Sequence, residues 1–229
     1  MFPLRDTIPS RRAPVVLWLI LLANGLVFFY ELQLSEAGLA QTLQRYAVVP
    51  VRLELAPRAF LAAPESYATL VTSMFLHGGW LHVLGNLWTL AIFGDNVEDR
   101  MGKLRFLVFY LVCGIVAGAV HVYFNPGSPV PTIGASGAIS GVMGAYFVLY
   151  PRAKVITLIP LLFYPLFVEL PAFVFLGLWF AAQLLSGTAA LAAAEEAGGI
   201  AFLAHVGGFV AGLLLHWLFL RPERRVRGA

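Results

Sequence analysis

The chain has 229 residues, 60% of them hydrophobic and only 12% charged, with a mean hydropathy of +0.83. A soluble domain carries about 25% charged residues, so this is a multispanning membrane protein, and several spans of about 20 residues each leave no room for a sizeable soluble domain. The formal charge of +3 is too small to argue for nucleic acid, and a single cysteine, Cys113, excludes an intrachain disulfide and a cysteine-based metal site.

Six apolar segments are predicted, at approximately 14–31, 69–94, 104–124, 135–150, 166–187 and 199–220. The first follows Arg11-Arg12-Ala13-Pro14, with proline tolerated at a helix start, and is longer than the apolar core of a cleavable signal peptide. Segment 32–68 is a long connection whose amphipathic part, Val51 to Phe60, is expected to lie on the membrane surface. The polar, turn-like His77-Gly78-Gly79-Trp80 places the start of the second span at the outer surface. The fourth span is short; with its start sunk below the surface among other helices, Ser136 would sit at depth yet be reachable by water. Pro160, Pro165 and Pro171 predict that 155–171 is an interfacial, broken approach to the fifth span. Ala189 to Ala194, in the loop before the last span, reads as flexible or weakly helical surface material, and the glycine-rich Gly198-Gly199 opens the sixth span.

The expected fold is thus an all-α bundle of six transmembrane helices, with a short fourth helix and a long surface loop between the first two. Residues 1–13 form a basic cytoplasmic segment, 14–220 the membrane domain and 221–229 a basic cytoplasmic tail, with no fused soluble domain at either end. Orientation follows from the lysines and arginines: with both termini inside, 12 of the 15 lie on the inner side, leaving Arg45, Arg52 and Arg58 outside. Two inner termini require an even number of spans.

Small residues recur every four positions in three spans: Gly114 and Gly118; Gly137, Gly141 and Ala145; Ala204, Gly208 and Gly212. Such faces let membrane helices approach closely. The fourth and sixth spans, which carry the longest of them, also carry Ser136 and His205.

A hydroxyl and an imidazole in the membrane are costly unless they face protein or water, and nucleophilic hydrolysis needs both. Each also has a plainer reading. Ser136 suits a helix N-cap. His205 suits a structural group, a proton relay or a metal or haem ligand. His82 and Asn86, four apart, share a helical face. They can donate hydrogen bonds to an oxyanion, each worth about 3–4 kcal/mol, or join helices at about 0.6 kcal/mol each. His77, His121 and His216 are expected at interfaces. A His-Glu-x-x-His zinc site is absent, and Asp6, Asp95 and Asp99 all fall outside the spans, which rules out an embedded aspartate pair. Glu169, beside Pro171, is the one acid near a span, so no carboxylate is placed to orient His205. A serine–histidine dyad remains.

Four motifs, in the right order and on the right spans, resemble the rhomboid intramembrane serine proteases: His82-x-x-x-Asn86 on the second helix, Glu98-Asp99-Arg100-Met101-Gly102 between helices two and three, Gly134-Ala135-Ser136-Gly137 at the start of the fourth, and His205-Val206-Gly207-Gly208 on the sixth. The resemblance covers nearly the whole chain. It implies a nucleophile at Ser136, a general base at His205, and an oxyanion hole from His82, Asn86 and the Ser136 N–H. It further implies transmembrane substrates with a helix-breaking region, no cofactor or metal, and a bacterial inner membrane. Phe173, Leu176, Trp179 and Phe180 become candidate gate residues beside the fifth span. Some bacterial members carry an aromatic four residues after the nucleophile, where this chain has Ser140, so His205 must be held by helix packing or another ring. A catalytically silent relative that captures transmembrane segments is the alternative.

Overall fold

The computed structural model describes residues 1–55, 64–161, 164–192 and 201–222. Helix α1 (Val15–Glu31) begins after Pro14, and its first turn has no side-chain cap of its own. Instead the buried Glu98, from the last turn of α5 (Trp80–Met101), accepts the N–H groups of Val16 at 3.1 Å and Leu17 at 2.7 Å. A carboxylate satisfies otherwise orphaned donors at the positive end of a helix, so one side chain ties α1 to α5. The Glu98–Gly102 motif therefore belongs to a helix end rather than to a loop, and Gly102, at φ 83°, turns the chain into α6 (Lys103–Phe124).

The connection after α1 forms α2 (Glu36–Tyr46) and α3 (Pro50–Leu55); the rest of the Val51–Phe60 segment, with Arg58, lies outside the described residues. The second predicted segment is split. Helix α4 (Pro64–Thr72) runs into a short 3₁₀ turn, Ser73–Phe75, and α5 starts only at Trp80, because Gly78-Gly79 interrupts the helix and Gly79 adopts φ 153°.

Among the described residues, three helices are long and apolar enough to cross a membrane: α6, α8 (Ala172–Ala192) and α9 (Phe202–Phe219). Helices α1 and α7 (Ser136–Leu149) are apolar but shorter. At 14 residues α7 is about 21 Å long, less than the hydrocarbon thickness. Every residue from Ala138 to Tyr146 is buried, so α7 is the centre of the bundle, apolar on all sides because protein surrounds it.

The chain is not all-α. Segment 154–171 is a hairpin, β2 (Lys154–Leu161) and β3 (Tyr164–Pro171), joined by β1 (Phe2–Asp6) into an antiparallel sheet of order β1-β2-β3. The β-branched run Val155-Ile156-Thr157 favours strand, and Pro160 and Pro165 face each other near the hairpin end, so the prolines shape a strand pair rather than a broken helix. The fifth apolar helix accordingly starts at Ala172, not 166. Glu169 pairs with Lys154 at 2.7 Å on the exposed hairpin base; hydrogen bonding and charge from that lysine hold its carboxyl below the usual value.

The first residues are anchored against α5 and α7. Trp88 Nε1 donates to the Pro3 carbonyl at 2.6 Å, Asn96 Nδ2 to the Ile8 carbonyl at 2.9 Å, and the Tyr146 hydroxyl to Asp6. Burial pushes the Asp6 carboxyl above its ordinary value, against the lowering effect of the Tyr146 bond. Gly198-Gly199 and residues 223–229 of the basic tail lie outside the described residues.

Candidate active site

Glycines decide how close α7 and α9 come. A Cβ at Gly208 would collide with the Gly137 carbonyl, one at Gly212 with the Gly141 carbonyl, and one at Gly144 with the Phe209 carbonyl. The two backbones are in direct contact, which no pair of larger side chains would permit. That contact brings Ser136, the first residue of α7, to His205 in the first turn of α9.

Ser136 Oγ lies 2.7 Å from His205 Nε2. The N-cap of α7 is Ala135, with no side-chain cap bond, so the serine hydroxyl serves the histidine and not the helix end. On the other side of the ring, His205 Nδ1 lies 2.7 Å from Gln183 Oε1. An amide oxygen only accepts, so Nδ1 carries the ring proton and Nε2 is left to accept the Ser136 O–H. Trp179, one helical turn before Gln183 on α8, lays its indole 6.1 Å from the imidazole at an interplanar angle of 32°. The ring that holds His205 thus comes from α8. Ser140 is buried and donates instead to the Ser136 carbonyl at 2.7 Å.

His82 and Asn86 converge on the turn before Ser136. Gly134 sits at φ 124°, where a Cβ would lie 2.6 Å from His82 Nε2 and 3.7 Å from Asn86 Nδ2. Only glycine admits both the backbone conformation and the two side chains. The Gly78 N–H donates to His82 Nδ1 at 3.4 Å, so the neutral ring presents its own N–H at Nε2, over Gly134. His77 Nδ1 donates to the Phe75 carbonyl at 3.3 Å, and its Nε2 accepts from Asn86 Nδ2 at 2.9 Å, which orients that amide and leaves its second N–H. The His77 backbone N–H in turn donates to the buried Glu31 at 3.1 Å. The first turn of α7 adds the N–H of Ser136, which has no helical acceptor.

Ser136, His205, His82 and Asn86 line one cavity of about 1230 Å³ together with His121. His121 Nε2 lies 2.7 Å from Thr132 Oγ1. Of the gate candidates, Trp179 and Phe180 both pack on Phe209, at 6.0 and 4.8 Å between ring centres, and Trp179 also rests against His205. Leu176 is fully buried, and Phe173, 49% exposed, lies about 15 Å along α8 from Gln183.

His77 and Gln183 belong to the site although sequence reasoning gave neither a role in it. His77 is five residues before His82, off any helical period. Gln183 did leave a signal, as the lone amide in an apolar helix, where it must find a partner.

Residues 64–222 match the family model for the Rhomboid domain. The chain is 40% identical over 85 residues to Rhomboid protease GluP of Bacillus subtilis, covering 37% of this chain and 16% of that protein. It is 37% identical over 76 residues to RHOMBOID-like protein 6, mitochondrial, of Arabidopsis thaliana, covering 33% and 24% respectively. With Rhomboid protein 1, mitochondrial, of Saccharomyces cerevisiae it shares 26% identity over 166 residues, 71% of this chain and 44% of that protein. The chain therefore spans less than half the length of these curated relatives.

Proposed function

Because the chain belongs to the rhomboid family, whose integral membrane proteins include serine proteases and catalytically silent relatives, we propose that it is an intramembrane serine endopeptidase. The observation that carries this reading is the 2.7 Å contact between Ser136 Oγ and the unprotonated Nε2 of His205. In the reaction, Ser136 Oγ bonds to the scissile carbonyl carbon as its proton passes to His205 Nε2. The carbonyl oxygen becomes an oxyanion, met by donors from His82 Nε2, the second N–H of the Asn86 amide and the Ser136 backbone. His205 then gives its proton to the leaving amine, and water, activated by the same imidazole, releases the acyl group from Ser136.

The substrate is a transmembrane segment that exposes backbone in the cavity, since a regular helix hides its carbonyls in its own hydrogen bonds. Small or helix-breaking residues lower the cost of exposure. Helix α8, which carries Phe173, Leu176, Trp179 and Phe180, is the wall past which such a segment enters. Helices α1, α5 and α7 complete a six-span bundle with α6, α8 and α9, with both termini on the cytoplasmic side of a bacterial inner membrane.

The test is cleavage of a membrane-embedded substrate by purified protein in liposomes. Ser136→Ala and His205→Ala are each expected to abolish product while leaving the thermal transition in place; full turnover by either refutes the mechanism. A silent, segment-capturing relative would bind the same substrate in the native form and never cut it.

A further inference from the structure

We propose that Gln183 is a positioning residue for His205: its amide oxygen fixes the imidazole tautomer and ring plane so that Nε2 faces Ser136. The inference rests on the protease reading above and goes beyond it by supplying the third member that sequence inspection found missing.

Several observations converge on this role. Gln183 Oε1 lies 2.7 Å from Nδ1, on the side of the ring away from Ser136. Gln183 and Trp179 are four apart on α8 and so share a face; the indole packs beside the same imidazole. A ring clamped by an acceptor at one nitrogen and packed against an aromatic has little freedom left. The described residues lining the cavity include His82 from α5 and His121 from α6, and no carboxylate. The groups that face His205 are thus Ser136 from α7, Gln183 from α8 and these two imidazoles, and Gln183 is the acceptor.

An amide in this place has a physical logic. A carboxylate would do the same orienting work and also stabilise the imidazolium, but burying it beside a membrane-embedded ring carries a large desolvation cost. A neutral amide avoids that cost and still selects the Nδ1–H tautomer. The consequence is a base that is correctly oriented but gains no ion pair when it takes the serine proton.

The experiment compares full-length native protein with Gln183→Leu and Gln183→Glu. Turnover is measured on a fluorogenic peptide containing one apolar span interrupted by an Ala-Gly pair, as kcat, KM and the pH profile of kcat/KM. Gln183→Leu keeps the volume and loses the acceptor; kcat is expected to fall by roughly 10²–10³-fold with KM changed less than twofold, because orientation of the base matters in the transition state. Gln183→Glu restores an acceptor and adds a negative charge that favours the imidazolium. It is expected to retain turnover well above Gln183→Leu, with the acid limb of kcat/KM displaced upward by about one pH unit or more. A Gln183→Leu protein with near-native kcat and an unmoved profile in Gln183→Glu would overturn the proposal. If Gln183→Leu loses its thermal transition, the profile of Gln183→Glu decides alone: displaced supports, unmoved overturns. The two levels separate cleanly. Cleavage surviving in Ser136→Ala or His205→Ala sinks the protease reading itself. Loss in both of those, with Gln183 variants indistinguishable from native, sinks only the role of Gln183.

Discussion

Asn86 can present a donor to the cavity because His77 accepts its other amide hydrogen and holds it still. Replacing His77 by Leu removes that acceptor and frees the amide to rotate. Turnover in His77→Leu is expected to drop by roughly tenfold, less than the ~10²-fold loss on Asn86→Ala, which deletes the donor outright; steady-state kcat for both variants checks the order. Asp6 gives a prediction of a different kind. Burial raises its folded pKa above the unfolded value, so the native state holds the proton more tightly. Its contribution to stability is fully present below the unfolded pKa and is lost as pH rises through the raised folded value. Asp6→Asn should therefore flatten the pH dependence of the melting temperature across that acidic window, read by thermal scans; an unchanged slope would exclude Asp6 as a source. The polar pairing at residue scale was only half legible. Ser136, His205, His82 and Asn86 stand out as polar groups in apolar runs. Of their partners, His77 does not, and Gln183, though visible as the lone amide of an apolar helix, carries no sign of which group it meets, because hydrogen bonds across helices leave no period in the sequence: Gln183 and His205 are 22 residues apart.

Between elements, the contact of α7 with α9 sets the distance on which the chemistry depends. A methyl at Gly208 or Gly212 has nowhere to go except into the Gly137 or Gly141 carbonyl, so the helices must part. Gly208→Ala and Gly212→Ala should each destabilise the fold by about 1–3 kcal/mol. They should also slow turnover more than they weaken substrate binding, since separation pulls His205 from Ser136. Thermal melts together with kcat and KM measure both effects. This packing was readable in advance because the four-residue spacing of small side chains is itself the interface. The sheet was not. Strand β1 is five residues long, and 155–171 is apolar almost throughout, without the alternation that marks a half-solvated strand. Its prolines argue equally for a broken helix and for a hairpin end.

At the scale of the whole molecule, a mostly helical bundle encloses a cavity reached by polar groups from α5, α6, α7 and α9. The charged ends of α5 and α9 meet where Arg221 N–H donates to the Arg100 carbonyl at 3.1 Å, and the distribution of basic residues predicts that they face the inner side. Cys113 is the sole cysteine and is buried, so single cysteines added at exposed positions report topology directly. In intact cells Arg45→Cys should react with an impermeant maleimide and Arg152→Cys should not; the reverse pattern would invert the orientation. The sequence predicts a sunken site from the shortness of one apolar segment, and α7, at 14 residues, is short. The size and lining of the cavity depended on which partners each helix chose, which composition does not specify. The dyad itself is tested most directly by treating the folded protein with a fluorophosphonate and mapping the modified residue by mass spectrometry. Native protein should be labelled at Ser136 and the label should vanish in both Ser136→Ala and His205→Ala; a folded native protein that takes no label, or label that persists without His205, would contradict a serine activated by that imidazole.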